Sequence, residues 1–135
     1  LGLIKRNSDR LYHLIIDLLD FRKINNPDTL QLEVSETDMV RFLQDLYAPF
    51  HSACVQQGIL LTLDNQCLTP VFIDTEKVKR ILWNVLSNAL KFTPRNGKIN
   101  INCSLDGDKM LLGITDTGKG MTEDEVKLLF NRYYQ

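Results

Sequence analysis

The chain has 135 residues, 44% of them apolar and 24% charged, with a net charge of −1, which suffices for one domain with a hydrophobic core and one further element but not for two full domains. The near-neutral charge argues against a protein that coats nucleic acid, and the apolar content argues against a disordered chain. No apolar run approaches the roughly 18 residues of a membrane span, so we expect no direct membrane contact. The three cysteines form no CxxC pair, so we expect neither a zinc site nor a disulfide framework. This use of cysteine favours a cytoplasmic setting.

The first predicted element is a helix over about Ser8 to Ile24. Apolar residues at heptad spacing give it a short a/d seam of Ile4, Leu11, Leu14, Leu18 and Phe21. Ile15 and Leu19 widen the apolar face, which favours a helical bundle with more than one neighbour. The alternative is a helix that packs on the rest of the domain. Residues 25–28 (NNPD) then interrupt the pattern.

A strand, a helix and two further strands are predicted next. The first strand follows from the alternation of apolar and polar residues over 30–35, and Ser35 or Thr37 is the expected N-cap of the helix. The helix has apolar residues at helical spacing, and Gly58 is placed at its C′ position. The two strands that follow are predicted over Ile59–Leu63 and Leu68–Ile73.

A long helix is predicted from Asp74, its N-cap, to about Phe92. Its core contacts are expected from the apolar side chains of Val78, Ile81, Leu82, Val85, Leu86 and Ala89. Cys54 and Cys103 fall on apolar positions of their predicted elements and are expected in the core, whereas Cys67 lies in a turn and receives no interpretation.

Two alternating strands close the predicted sheet. They cover Ile99–Leu105 and Met110–Ile114, and residues 106–108 (DGD) read as their hairpin connection. Thr122 and Glu125 form a capping box for a last helix. Because the strands occur in pairs and do not alternate strictly with helices, we predict an α+β fold, a two-layer sandwich with helices on one face of a mixed sheet.

The long helix carries an unusual polar set. Asn84, Asn88 and Lys91 are offset by four and then three residues, which places them on one helix face. Asparagine is a poor helix former, but its amide oxygen suits Mg²⁺, and a lysine one turn on supplies a charge for phosphate. Residues 74–98 also hold six basic and two acidic residues. These features favour an anionic ligand, and a solvated polar face is the alternative.

A second polar segment follows the last predicted strand. Asp116 ends that strand, and Gly118 and Gly120 follow it. A carboxylate there can accept a hydrogen bond from an exocyclic amine such as that of adenine, and glycines let the backbone approach a ligand. An ordinary tight turn has the same composition. Neither a Walker A loop nor a Rossmann fingerprint is present.

Together these segments resemble the motifs of sensor histidine kinases. Residues 84–94 (NVLSNALKFTP) resemble the N box, and residues 116–121 (DTGKGM) resemble the G1 box. Residues 129–135 (LFNRYYQ) resemble the F box that opens the ATP lid, and residues 10–24 resemble the second helix of the dimerisation and phosphoacceptor domain. The four segments occur in the family's order and cover nearly the whole chain. The parents that this resemblance implies include hybrid sensor kinases.

The resemblance implies the ATP-binding α/β sandwich of the gyrase, chaperone and histidine-kinase type over residues 27–135, after a partial dimerisation domain over residues 1–26. It implies that Asn88 coordinates Mg²⁺, that Asn84 supports the metal and the phosphates, and that Lys91 contacts phosphate. The related ATPases have a glutamate at the position of Asn84, which activates water. An amide cannot take that proton, so Asn84 fits a kinase that transfers the phosphoryl group to a protein histidine.

The base side of the site is implied in the same way. Asp116 would bind the adenine amino group, Gly118 and Gly120 would shape the loop beneath the base, and Phe130 would help to seat the lid. ATP and Mg²⁺ are therefore the expected ligands. The parts of a kinase that we do not find in the sequence are the H box, most of the ATP lid and the G2 box. Neither His13 nor His51 lies in an acceptor motif.

We therefore expect a fragment of a longer kinase that is inactive by itself. The parent would form a homodimer through the N-terminal helix and pass phosphate to a response-regulator receiver domain, without a nucleic-acid partner. Whether the parent is anchored in the inner membrane stays open. Two alternatives remain at this point. One is a degenerate, non-catalytic module for dimerisation or relay, and the other is a gyrase- or chaperone-like ATPase, which Asn84 disfavours.

Overall fold

The computed structural model describes residues 31–128. The chain divides into two units, Leu1–Glu33 and Val34–Gln135, and the fold described below is that of the second unit. The predicted N-terminal helix with its apolar seam, and the F box with Phe130, lie outside the described residues. The predicted domain boundary between residues 26 and 27 stays a prediction for the same reason.

The described residues form five strands and three helices in the predicted order. They are β1 (Ser35–Thr37), α1 (Met39–Gln57), β2 (Leu60–Asn65), β3 (Val71–Ile73), α2 (Thr75–Phe92), β4 (Lys98–Asp106), β5 (Lys109–Asp116) and α3 (Glu123–Leu128). In the main sheet β4 is central, parallel to β2 and antiparallel to β5. β1 and β3 form a separate antiparallel pair. The mixed sheet and its helices confirm the predicted α+β class.

The core lies between the main sheet and α1 and α2. In β4 every second side chain is buried, at Ile99, Ile101 and Cys103, since alternate residues of a strand face opposite sides of the sheet. Residues spaced by three or four along each helix cover that face of the sheet. The buried helix residues are Met39, Leu43, Leu46, Phe50 and Cys54 on α1 and Leu82, Leu86 and Ala89 on α2.

The prediction for the first strand was wrong in position. Residues 31–34 are not a strand, and the side chains of Leu32 and Val34 are 69% and 52% exposed. The strand is β1, and it pairs with β3 over three residues, Ser35 opposite Ile73. Alternation alone predicted a longer strand, but β3 is too short to pair with more of it. The third predicted strand is shorter for the same reason and starts after Pro70.

The N-cap of α1 is Asp38, and not Ser35 or Thr37 as predicted. Its Oδ1 accepts hydrogen bonds from the backbone N–H of Val40 at 2.9 Å and of Arg41 at 3.3 Å. Ser35 and Thr37 belong to β1 and are therefore unavailable as caps. The other predicted ends are confirmed. Gly58 ends α1 with φ 69°, Asp74 caps α2, and Thr122 and Glu125 form the capping box of α3.

Two apolar residues of α2 expected in the core are exposed. Ile81 is 61% and Val85 43% exposed, because the described residues cover only one side of the apolar face of α2. Both line an open groove of about 290 Å³ between α2 and β5, together with Val78, Leu82, Met110, Leu112 and Ile114.

All three cysteines are buried free thiols. This confirms the core positions of Cys54 and Cys103 and adds Cys67, which the sequence left without an interpretation. His51 is exposed and stacks on the Tyr47 ring with a centroid distance of 5.1 Å. Within residues 31–128 no helix has the length and apolarity needed to cross a membrane.

Candidate functional site

The outward face of α2 carries the three predicted polar residues. Asn84, Asn88 and Lys91 are all exposed, while Leu82, Leu86 and Ala89 turn to the core. Among the described residues the two asparagine amides make no hydrogen bond. Two asparagines inside a helix, each with unused donors and acceptors, are available to bind a ligand. The structure therefore confirms that the three residues share a solvent-facing surface.

Asp116 is the last residue of β5, and its carboxylate is held in one orientation. Its Oδ1 accepts a 2.7 Å hydrogen bond from the backbone N–H of Gly118, an Asx-type turn. Among the described residues Oδ2 accepts no hydrogen bond. One oxygen of the carboxylate thus fixes the side chain, and the other can accept a hydrogen bond from a ligand.

The loop after β5 lies directly against the C-terminal end of α2. A Cβ atom at Gly118 would lie 2.8 Å from the carbonyl oxygen of Phe92 and 2.6 Å from Asp116 Oδ1, so only glycine fits there without a shift. Thr117 ties the loop to β4, since its N–H donates to the Lys98 carbonyl at 3.0 Å and its Oγ1 accepts from the Lys98 N–H at 2.9 Å. Asp116 and the Asn84–Lys91 helix are therefore joined at one end of the sheet.

Gly120, the second glycine of the loop, is favoured by the backbone conformation at its position and not by packing. Gly120 has φ 68° with open space around it, a conformation that L-residues with a side chain rarely adopt. The two glycines predicted for the site thus have different physical reasons, close approach at Gly118 and a left-handed turn at Gly120.

Phe92, which the sequence analysis did not single out, lies at the same junction of α2 and the loop. Its side chain is 43% exposed, and two ammonium groups lie over its ring, Lys91 Nζ at 5.0 Å and Lys119 Nζ at 5.3 Å from the ring centroid. Such contacts are cation–π interactions. The neighbour Lys91 is visible in the sequence, but Lys119 reaches the ring only through the close approach of the loop to α2.

Thr93 follows α2 at the same junction and is buried. Its Oγ1 is the one buried side-chain nitrogen or oxygen in the described part of the chain that lacks a hydrogen-bond partner. Buried polar atoms are nearly always satisfied by protein, water or ligand. The Thr93 hydroxyl is therefore an exception among the buried polar groups of the described residues.

No cluster of three or more His, Cys, Asp or Glu side chains that could hold a metal is present within residues 31–128. The donor groups that the site does offer are amide oxygens on α2. These suit a hard cation that takes few protein ligands and completes its shell with phosphate oxygens and water, as Mg²⁺ does.

Comparison with known proteins identifies a family of ATPases. Residues 73–135 match the family model described as histidine kinase-, DNA gyrase B- and HSP90-like ATPase. The chain is 31% identical over 140 residues to the autoinducer 2 sensor kinase/phosphatase LuxQ of Vibrio harveyi, covering 96% of this chain and 16% of LuxQ. It is 29% identical over 133 residues to histidine kinase P4 of Formosa agariphila, covering 98% of this chain and 10% of P4. The chain thus spans a small part of these relatives.

Solved structures share the fold. The Acinetobacter baumannii histidine kinase AdeS superposes with a TM-score of 0.76 at 26% identity, over 88% of this chain and 59% of that one. Histidine kinase ThkA, solved in complex with the response regulator TrrA, superposes with a TM-score of 0.76 at 20% identity, over 98% of this chain and 39% of that one.

Residues 73–135 therefore belong to the histidine kinase-, DNA gyrase B- and HSP90-like ATPase family. Within it the relatives are sensor histidine kinases, so the chain carries the catalytic ATPase domain of a histidine kinase. This confirms the resemblance drawn from the sequence motifs.

Proposed function

We propose that this domain binds Mg-ATP and, in its parent protein, supplies the γ-phosphoryl group for a protein histidine in two-component signalling. The observation that carries the proposal is the junction at the end of α2, where the loop of Asp116 touches the helix of Asn84, Asn88 and Lys91. A base acceptor and a phosphate-side polar face are thereby held on one rigid frame, as catalysis by positioning requires.

Each residue has a distinct role in this proposal. Asp116 accepts a hydrogen bond from the exocyclic amine of adenine through Oδ2. Asn88 holds Mg²⁺ through its amide oxygen, with Asn84 supporting the same ion and the phosphates, and Lys91 contacts a phosphate group. When bound, the ion neutralises charge on the phosphate oxygens. Phe130, as the residue that helps to seat the lid, remains a proposal from the sequence.

Asn84 also bears on the fate of the phosphoryl group. A carboxylate at this place could remove a proton from water, whereas an amide cannot act as a general base. The exposed Asn84 amide makes no hydrogen bond among the described residues that would give it another task. The residue therefore supports transfer to a protein acceptor over hydrolysis.

The roles of the parent protein follow as further parts of the proposal. The phosphorylated histidine would be neither His13 nor His51, since neither lies in an acceptor motif. The parent would dimerise through its N-terminal helix. A receiver domain of a response regulator would take the phosphate. Support for the last partner comes from ThkA, which was solved in complex with a response regulator.

The test is Asn88→Ala in the full-length protein, with Ser87→Ala as the matched control on the same exposed helix turn. Calorimetry should show a loss of ATP affinity of about tenfold or more in the presence of Mg²⁺, since a ligand to an ion bound to phosphate is removed. Stability should change little, because the side chain is exposed. Ser87→Ala should bind as the parent does. Unchanged affinity in Asn88→Ala would remove the metal role, and a full-length protein that binds no ATP would favour the non-catalytic alternative.

A further inference from the structure

We propose that Lys119 is a second cationic contact for the phosphate groups of the nucleotide, acting beside Lys91 at the Phe92 ring. The inference rests on the proposed function and extends it to a residue between the two glycines of the loop. Three observations lead to it: the contact of two ammonium groups with one ring, the lack of an acidic partner for either lysine among the described residues, and the close approach of the loop that carries Lys119 to the end of α2.

The convergence is set by the Phe92 ring. Lys91 Nζ lies 5.0 Å and Lys119 Nζ 5.3 Å from the same ring centroid, so two ammonium groups contact one ring although the two lysines are 28 residues apart in sequence. The face of an aromatic ring attracts cations, so the Phe92 ring holds both groups at the end of α2.

Neither ammonium has an acidic partner within 4.0 Å in the described part of the chain, unlike Lys77, which pairs with Asp74, and Lys127, which pairs with Asp124. One acidic group that interacts with Lys119 electrostatically is Glu125, whose carboxylate accepts hydrogen bonds from the Thr122 backbone N–H at 2.8 Å and the Thr122 hydroxyl at 3.0 Å. The positive charge of Lys119 helps to lower the pKa of Glu125, after those hydrogen bonds. Two cations at one ring, each without an ion-pair partner among the described residues, attract an anion.

The backbone beside Lys119 is held close to the end of α2. Gly118 touches the carbonyl of Phe92, and Asp116 fixes Gly118 through its N–H. Lys119 therefore starts from a backbone that is held to the end of α2, directly beside the carboxylate proposed to bind the base. A nucleotide seated on Asp116 would extend its phosphates past Lys119 as well as Lys91.

The experiment compares Lys119→Met with Lys109→Met in the full-length protein. Lys109 lies at the opposite end of β5, roughly 23 Å from Asp116 at about 3.3 Å per strand residue, so it controls for the loss of one positive charge. Affinities for adenosine, ADP and ATP are measured at low and high KCl. We expect Lys119→Met to weaken ADP and ATP about three- to tenfold at low KCl, to leave adenosine unchanged and to reduce the salt dependence. Lys119→Arg should restore most of the affinity.

The outcomes separate the two levels of the proposal. If the unmodified protein binds no ATP, the proposed function fails and the role of Lys119 fails with it. If it binds ATP and Lys119→Met binds ADP and ATP as tightly as the unmodified protein does, only the phosphate contact is refuted. An equal loss for adenosine would also refute it, because the lysine would then shape the loop and not contact phosphate.

Discussion

At the scale of single residues, the carboxylate of Asp116 combines two functions that the sequence could not separate. The strand end and the two glycines predicted a ligand loop, but only the structure shows that Oδ1 is used internally by the Gly118 N–H. That bond orients the side chain before any nucleotide arrives. The free oxygen is therefore a preorganised acceptor, which reduces the cost of ordering the site on binding.

Asp116→Asn should weaken adenine nucleotides selectively. In the proposed function the carboxylate accepts a hydrogen bond from the exocyclic amine of adenine, whereas guanine presents a carbonyl at that edge, which a carboxylate repels. Losing an ionic acceptor costs about 1.5–3 kcal/mol, which is roughly 10- to 100-fold in ATP affinity. Calorimetry with ATP and GTP measures the difference. Equal losses for both nucleotides would show that Asp116 does not read the base.

Gly118→Ala should damage both the loop and nucleotide binding. The new methyl group would collide with Asp116 Oδ1 at 2.6 Å and the Phe92 carbonyl at 2.8 Å, and overpacking of this kind costs about 1–3 kcal/mol. The matched change is Gly120→Asn, at an open position with φ 68°, which asparagine tolerates. Urea denaturation and ATP titration should show the larger loss for Gly118→Ala. The reverse order would contradict the close-approach argument.

At the scale of elements, the predictions from sequence were most accurate where local interactions determine where a helix or turn begins and ends. The limits of α2 follow from the Asp74 cap and from Thr93-Pro94, since the residue before a proline leaves the helical region. The hairpin turn and the α3 capping box were predicted on similar grounds. β1 could not be placed, because its length depends on pairing with β3, which is distant in sequence. The contact of Lys119 with Phe92 has the same cause, a tertiary approach that no local pattern encodes.

Asp74→Ala tests how far α2 depends on its cap. The carboxylate accepts a hydrogen bond from the Lys77 backbone N–H at 3.1 Å and pairs with Lys77 Nζ at 2.6 Å, with its side chain 6% exposed. Loss of the cap alone costs about 0.5–2 kcal/mol. Asp124→Ala is the control, because its pair with Lys127 is almost fully exposed and is worth at most about 0.5 kcal/mol. Urea midpoints that fall equally in the two variants would contradict the ranking.

At the scale of the whole molecule, the sheet and its helices form a frame that carries the site at one end and buries thiols at its centre. Cys103 lies on β4 within the core, and Cys67 follows β2, where the N–H of Gln66 donates to the Cys103 carbonyl at 2.8 Å. Burial, with the proximity of Cys67, raises the pKa of the Cys103 thiol to about 11. Burial also raises the pKa of Cys54. The Cys54 and Cys103 thiols are therefore kept protonated at neutral pH, which disfavours a nucleophilic role.

The raised pKa of Cys103 predicts a loss of stability in alkali. The unfolded chain releases this proton near its ordinary value of 9.0, but the folded chain keeps it up to about pH 11. Between these two pH values the folded state binds more protons than the unfolded state. The contribution of this thiol to the free energy of unfolding is therefore fully present below pH 9 and is lost between pH 9 and 11. The loss is at most about 1.4 kcal/mol per pH unit for one proton. Urea denaturation at pH 8 to 11 should show a shallower fall for Cys103→Ala, which lacks the titrating group. Lysine and tyrosine ionise in both proteins over this range, so their effect cancels in the comparison. Parallel pH profiles would mean that the thiol is not held neutral by the core.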